Sequence, residues 1–202
     1  MSLPFRIVLV TDWSLDDLPG RVARALEAGP GVAVQHRHPG ASDRQLLEEA
    51  LRLADVCRAA GAPLFVSRRL DVALALDAHL HLPAYALRVA DVRPRLPAGR
   101  LVSVAIHDEA EALAARGADF ALVSPVYAPG SKPTDTRPTL GPDGFRRLAA
   151  ALPCPAFALG GLDASRARAL APVAGAAVVS AVLAAADPLE ACRAMLDALP
   201  SP

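Results

Sequence analysis

Eight short apolar or β-branched runs recur along the chain: "FRIVLV", "VAVQHRH", "PLFVSR", "AHLHL", "RLVSVAI", "FALVSPV", "PAFALGG" and "GAAVVSAV". Between them lie segments of helical period, the clearest being "SDRQLLEEALRLADVCRAAG", in which Ser42 is placed to cap the start and Gly61 follows the end. Strands this short and continuously apolar are buried on both faces, the pattern of a parallel sheet covered by helices. Eight such units are the number that closes a barrel, so the expected fold class is α/β, a single-domain (β/α)8 TIM barrel over residues 1–202. An open doubly wound sheet is the alternative, but "VTDWSLDD" after the first strand lacks the glycine fingerprint that usually marks that fold.

Composition narrows the function classes. With 53% hydrophobic residues in 202, the chain has material for a sizeable core, and the expected helices "ALRVADVRP" and "DEAEALAARG" continue the alternation without a linker. Net charge is zero, so no long-range field gathers nucleic acid or anionic membrane, and an anionic ligand must be held locally. No run reaches membrane-spanning length, and the apolar stretch ending at Asp12 is too short for a secretion signal. Cys57, Cys154 and Cys192 are odd in number and scattered, which encodes neither a disulfide framework nor a zinc site; a reducing cytoplasm is the expected location.

In a barrel, chemistry collects where strands end and helices begin. Strand seven ends in Gly160-Gly161, and Ser180 opens a brief helical stretch after strand eight. Paired glycines let backbone N–H groups approach an oxyanion, and the placement after strands seven and eight is that of a barrel phosphate site; a simple tight turn is the alternative. Period-two alternation in "VAVQHRHP" puts Ala33, Gln35 and Arg37 on one face and sends His36 toward the helices as a core histidine. Arg37 can grip a phosphate or carboxylate, or form an ion pair across the barrel. Ser103, Ala105 and His107 share a face of "LVSVAIH", which makes His107 either a general acid or base at the mouth or a cap for the helix opening at Asp108. His79 and His81 share a face as a packed or hydrogen-bonded pair, since their spacing alone makes no metal site.

Lys132 stands in "SPVYAPGSKPTDTRPTLG", a connection longer than a normal βα loop and a lid candidate over the mouth. It is the one lysine among 21 Lys+Arg positions. A compact ammonium meets phosphate oxygens where a forked guanidinium does not fit, whereas an unconstrained surface lysine is what this composition otherwise lacks.

Taken together, "QHR", "SRRLDVAL", "HLHLP", "VSVAIHDEAEA", "GADFALVSPVY", "SKP", "LGG" and "VVSAV" resemble the thiamine phosphate synthase and thiazole tautomerase (TenI-like) superfamily, over nearly the whole chain. The resemblance implies a TIM barrel binding a thiazole phosphate, with Lys132, Gly160, Gly161, Val179 and Ser180 holding the phosphate. The synthase branch joins that thiazole to a pyrimidine carried on diphosphate, with Mg²⁺ stabilising the departing diphosphate. Its Q-x-R-x-K pattern reads Gln35, Arg37 and Pro39 here, its N-D pair reads Ser67-Arg68, and its later acidic stretch is replaced by "PAYAL". Mg²⁺ needs hard oxygen ligands, so Arg68 at a carboxylate position repels it and is expected to neutralise an anion directly. The tautomerase branch also lacks these ligands and shares "HLP", but its strand-six histidine falls on Pro125. His107, His81 and Tyr127 are the groups that can replace it.

The main expectation is therefore a TenI-like isomerase shifting a proton on a carboxylated thiazole phosphate without metal. The alternatives are a thiamine phosphate synthase and a non-catalytic binder of thiamine-pathway phosphates. Candidate catalytic residues are His107 and Lys132, and candidate binding residues are Gln35, Arg37, Ser67, Arg68, Ser103, Lys132, Gly160, Gly161, Val179 and Ser180. No metal ligand is assigned and no cofactor is expected, Mg²⁺ entering only with the synthase alternative. The expected partner is a small-molecule thiazole phosphate, and by family habit the chain is expected to form a homo-oligomer.

Overall fold

The structure, a computed structural model, describes residues 3–128, 138–170 and 173–199. Strands β1 (Phe5–Val10), β2 (Gly31–His36), β3 (Leu64–Ser67), β4 (His79–Leu82), β5 (Val102–Ile106), β6 (Phe120–Val123), β7 (Ala156–Leu159) and β8 (Gly175–Val178) close in sequence order into one barrel. Every neighbouring pair is parallel, and β8 returns to β1 through Ala176 beside Ile7 and Val178 beside Leu9. The TIM barrel read from the alternating runs is the observed fold.

The helices are α1 (Leu18–Leu26), α2 (Asp43–Ala60), α3 (Leu70–Ala75), α4 (Val89–Val92), α5 (Gly141–Ala151), α6 (Ala164–Leu170), α7 (Ser180–Leu183) and α8 (Pro188–Ala198). In α2 the hydroxyl of Ser42 accepts from the Gln45 N–H, Gly61 closes the other end at φ 65°, and Ala50, Leu53, Ala54 and Cys57 form the buried stripe. Two segments expected as full helices are shorter. After four residues of α4 the chain tightens into 3₁₀ geometry at Arg93–Arg95, because Pro94 has no N–H to continue the α ladder. The β5–β6 crossover is likewise 3₁₀ over Ala110–Ala115, ended by Gly117 at φ 79°.

Alternation along the strands separates two cores. Ile7, Leu9, Val34, Val66, Leu80, Val104 and Val123 point outward into a continuous apolar layer beneath the helices. Inward, four phenylalanines from separate strands, Phe5, Phe65, Phe120 and Phe157, meet inside the barrel. Phe120 lies with ring centroids 4.9 Å from Phe157 and 5.4 Å from both Phe5 and Phe65. Edge and tilted contacts of this kind add about 0.5–1.5 kcal/mol per pair beyond burial. The ring cluster closes the barrel floor, and Gly175 makes room for it: a Cβ there would stand 2.3 Å from Phe157 Cε1.

Candidate active site

Above that floor the barrel opens into a cavity of about 860 Å³ at the C-terminal ends of the strands. Of the residues singled out from sequence, Gln35, Arg37, Ser67, Arg68, His107, Gly160, Gly161, Val179 and Ser180 line it together. Ser103 does not; it is buried one layer down. Lys132 lies outside the described residues.

β2 delivers Gln35 and Arg37 inward by its alternation, as the sequence reading required. The Gln35 side chain is 2% exposed, and its Oε1 has no hydrogen-bond partner among the described residues. A buried amide oxygen without a donor is costly, so a ligand N–H or O–H is the natural complement at this point of the cavity wall. Arg37 is set in place by Thr11, whose hydroxyl accepts from the Arg37 N–H at 2.8 Å and donates to its carbonyl at 3.1 Å.

β4 and β5 supply the histidines. His81 lines the cavity and shares a 2.9 Å hydrogen bond between its Nδ1 and the Ser103 hydroxyl, so Ser103 acts on the site through the ring rather than by contact. Burial, aided by the charge of Arg37, pushes His81 down to about 3 and keeps it neutral. His79, lower in the strand, accepts the Leu101 N–H at 2.9 Å and is pushed down to about 4, chiefly by burial. These are the hydrogen-bonded histidines expected from the strand.

His107 follows β5 at the rim. Its Nδ1 lies 2.9 Å from Glu111 Oε2, and the same oxygen accepts the His107 backbone N–H at 2.8 Å. The N-cap residue of the Ala110–Ala115 segment is Glu109, with no side-chain cap bond, and the Asp108 carboxylate accepts from the Glu111 N–H at 3.0 Å. His107 therefore does not cap that helix. A carboxylate on Nδ1 leaves Nε2 as the lone-pair nitrogen, the arrangement of an imidazole set up to accept a proton. Glu111 was missed in the sequence reading, although its position four residues after His107 is a helical neighbour spacing.

The glycine turn has a packing role as well as a position at the site. Gly160 and Gly161 have φ of 104° and 58°, and a Cβ at Gly161 would lie 2.5 Å from the Ala128 carbonyl oxygen. The backbone after β6 rests on them: the Val126 N–H donates to Leu159 at 2.9 Å and the Tyr127 N–H to Gly160 at 3.1 Å. Glycine is required here by the close approach, as the tight-turn reading has it, and the turn borders the cavity together with Ser180.

A side lobe of the cavity was not foreseen. Trp13, the single tryptophan, stacks on His38 with centroids 6.1 Å apart and an interplanar angle of 10°. The Nδ1 of His38 lies 2.9 Å from both carboxylate oxygens of Glu49, itself 2% exposed. His36 sits behind them as the core histidine expected, its Nδ1 accepting the Trp13 indole N–H at 3.2 Å and its Nε2 donating to the Leu46 carbonyl at 3.1 Å. Burial lowers its pKa. The rule that strand ends carry chemistry would have selected Trp13 after β1, had it been applied there.

With this mouth described, comparison with known proteins decides the family. The profile of the thiamine monophosphate synthase family matches residues 7–182. The chain belongs to that family. It is 42% identical over 198 residues to a thiamine-phosphate synthase of Chloroflexus aurantiacus, covering 94% of this chain and 90% of the relative. A thiamine-phosphate synthase of Chlorobium luteolum is 37% identical over 195 residues, covering 94% and 91%. Among solved structures, a thiamine phosphate pyrophosphorylase from Pyrococcus furiosus superposes with a TM-score of 0.84 at 30% identity, covering 96% of this chain and 95% of that one. The names of these relatives favour the synthase alternative over the isomerase that headed the sequence reading.

The Mg²⁺ associated with the synthase branch can be tested against the side chains of this family member. Arg68 and the "PAYAL" stretch stand where the resemblance leads one to expect carboxylates, and no three His, Cys, Asp or Glu side chains converge among the described residues. The carboxylates that do border the cavity are engaged: Asp43 binds Arg69, and Asp12 accepts from the Ser14 N–H and hydroxyl. This donor set does not suit a hard divalent ion.

Proposed function

We propose that the chain joins a pyrimidine diphosphate to a thiazole phosphate at the barrel mouth, forming thiamine phosphate. The observation that carries this reading is the cavity above the phenylalanine floor, lined together by Gln35, whose buried Oε1 has no hydrogen-bond partner among the described residues, two arginines, the His107 ring held by Glu111, and the glycine turn. Its volume of about 860 Å³ stands toward the top of the 300–1,000 Å³ range usual for small-molecule sites, room for two heterocycles. Relatives named thiamine-phosphate synthase over nearly the full chain support the same reading.

In the reaction the carbon–oxygen bond to diphosphate breaks, the electron pair leaves on the diphosphate, and the thiazole takes its place on the pyrimidine carbon. The protein's share is to align the two rings over the floor, to exclude water from the electron-poor carbon and to meet the leaving charge with fixed cations. Gln35 orients a ring by its unpartnered amide oxygen. The glycine turn, Val179, Ser180 and Lys132 are assigned to the thiazole phosphate.

A second reading has one specific observation in its favour. The His107–Glu111 pair is built to move a proton, which the condensation does not itself need and the isomerisation of a carboxylated thiazole phosphate does. Purified protein incubated with the pyrimidine diphosphate and thiazole phosphate is expected to form thiamine phosphate. Folded protein that forms none, but converts the carboxylated thiazole, transfers the assignment to the isomerase; binding without either turnover leaves the non-catalytic binder.

A further inference from the structure

We propose that Arg68 is a diphosphate-binding residue that supplies, as a guanidinium, the positive charge a divalent ion would otherwise bring. Arg68 follows β3 at the rim and lines the cavity with an exposed side chain. Its backbone is left-handed at φ 69°, and its N–H donates to the His81 carbonyl at 2.8 Å, which pins the residue to the end of β4. A non-glycine residue in that conformation is uncommon, so the position is over-determined by its neighbours.

The guanidinium has no hydrogen bond or ion pair with another described residue. The next residue behaves oppositely: Arg69 is held by Asp71 at 2.6 and 2.9 Å and by Asp43. The nearby carboxylates are thus neutralised by Arg69, and the charge of Arg68 is left over at the mouth. Arg37 adds a second cation to the same cavity. A guanidinium offers planar, forked donors that match phosphoryl oxygens.

The ligand class is a diphosphate, released when the carbon–oxygen bond of the pyrimidine diphosphate breaks and the electron pair stays on the diphosphate oxygen. No oxidant or extra co-reactant enters. The inference takes the identity of this ligand from the proposed condensation, but diphosphate binding is measured without turnover. Binding through Arg68 with no thiamine phosphate formed would sink the condensation and leave this assignment standing.

The test is calorimetric titration of the full chain at fixed ionic strength with inorganic diphosphate, and separately with inorganic phosphate, in EDTA and then in Mg²⁺. Wild type is expected to bind diphosphate in EDTA, with no gain from Mg²⁺. Arg68→Gly accepts the left-handed backbone without strain, removes the charge, and is expected to weaken diphosphate binding about tenfold or more while phosphate changes little. Arg68→Asp reverses the charge and returns a carboxylate to the position, so its remaining affinity is expected to rise on adding Mg²⁺, opposite in sign to wild type. Wild type that needs Mg²⁺ to bind, variants with unchanged diphosphate affinity, or equal losses for phosphate and diphosphate each overturn the assignment.

Discussion

One carboxylate oxygen of Glu111 takes both the backbone N–H and the ring Nδ1 of His107, at 2.8 and 2.9 Å. The two contacts fix the ring's position relative to β5 and its tautomer at once, so Glu111 is a positioning residue for His107. In isomerisation of the carboxylated thiazole phosphate, the reaction that needs a proton moved, Glu111→Gln is expected to lower kcat about tenfold or more with KM little changed, and to shift the pH profile, because an amide orients the ring without stabilising its protonated form. His107→Ala should lose more rate with ligand affinity kept. If the pH profiles of wild type and Glu111→Gln coincide, the carboxylate has no part in proton handling.

Glu49 carries a different burden. It is buried against His38, with His36 Nε2 3.7 Å away, and removing His38 takes a 2.9 Å hydrogen-bond partner from a buried carboxylate. His38→Ala is expected to destabilise the fold by about 3 kcal/mol, in the range for breaking a buried pair, with the loss read from urea unfolding. Glu49→Gln should cost less, since the amide still accepts from the ring. A larger loss in Glu49→Gln than in His38→Ala contradicts this account.

Buried histidines make the barrel acid-sensitive. His81 and His79 ordinarily titrate at 6.5 but are pushed to about 3 and about 4 in the folded chain, mainly by burial. Below pH 6.5 the unfolded chain takes up protons that the native state refuses, so stability is full above that value and falls as pH drops toward the folded values. Each group costs about 1.4 kcal/mol per pH unit inside that window. The urea midpoint is expected to decline steadily from pH 6.5 to 4, and less steeply in His81→Asn; a flat profile would count against the burial of these rings.

The floor of the barrel leaves no slack. Gly175→Ala places a methyl group 2.3 Å from a Phe157 ring atom and 2.5 Å from the Arg6 carbonyl oxygen, and the backbone contact cannot yield by rotating a side chain. A loss of about 1–3 kcal/mol is expected from overpacking, measured as a lowered thermal midpoint. Pairing the change with Phe157→Leu should recover part of it, and failure to recover any would place the strain at Arg6 alone.

Thiol chemistry offers an independent check on packing. Burial pushes Cys57 and Cys192 up to about 12 and Cys154 to about 11. At pH 7 the native protein is expected to resist iodoacetamide at all three thiols and to react fully in denaturant. Rapid native labelling at Cys57 or Cys192 would mean that α2 or α8 opens on the labelling timescale.

How much of this was legible in the sequence follows from what each feature depends on. The barrel was, because eight buried strands in alternation with helices is a one-dimensional pattern, and the period of two alone placed Gln35, Arg37 and His107 at one mouth. Ser103 shows the limit of that rule. It shares the inward face with His107 but stands four residues deeper, and depth along a tilted strand is not a property of alternation. The Trp13–His38–Glu49 lobe was unreadable for another reason: it joins residues that follow β1 and β2 with one from α2, through three-dimensional contact that no local spacing announces. The two short crossovers were overpredicted because apolar content was read as helix length while Pro94 and Gly117 stood in view.

The four-phenylalanine floor also sets the traffic of the molecule. A barrel stoppered at one end is a cup with a single doorway, so whatever settles deepest must arrive before the ligand that sits above it and depart after it. On the proposed two-substrate reading, loading and unloading form a queue, last in and first out, set by the stoppered end of the barrel.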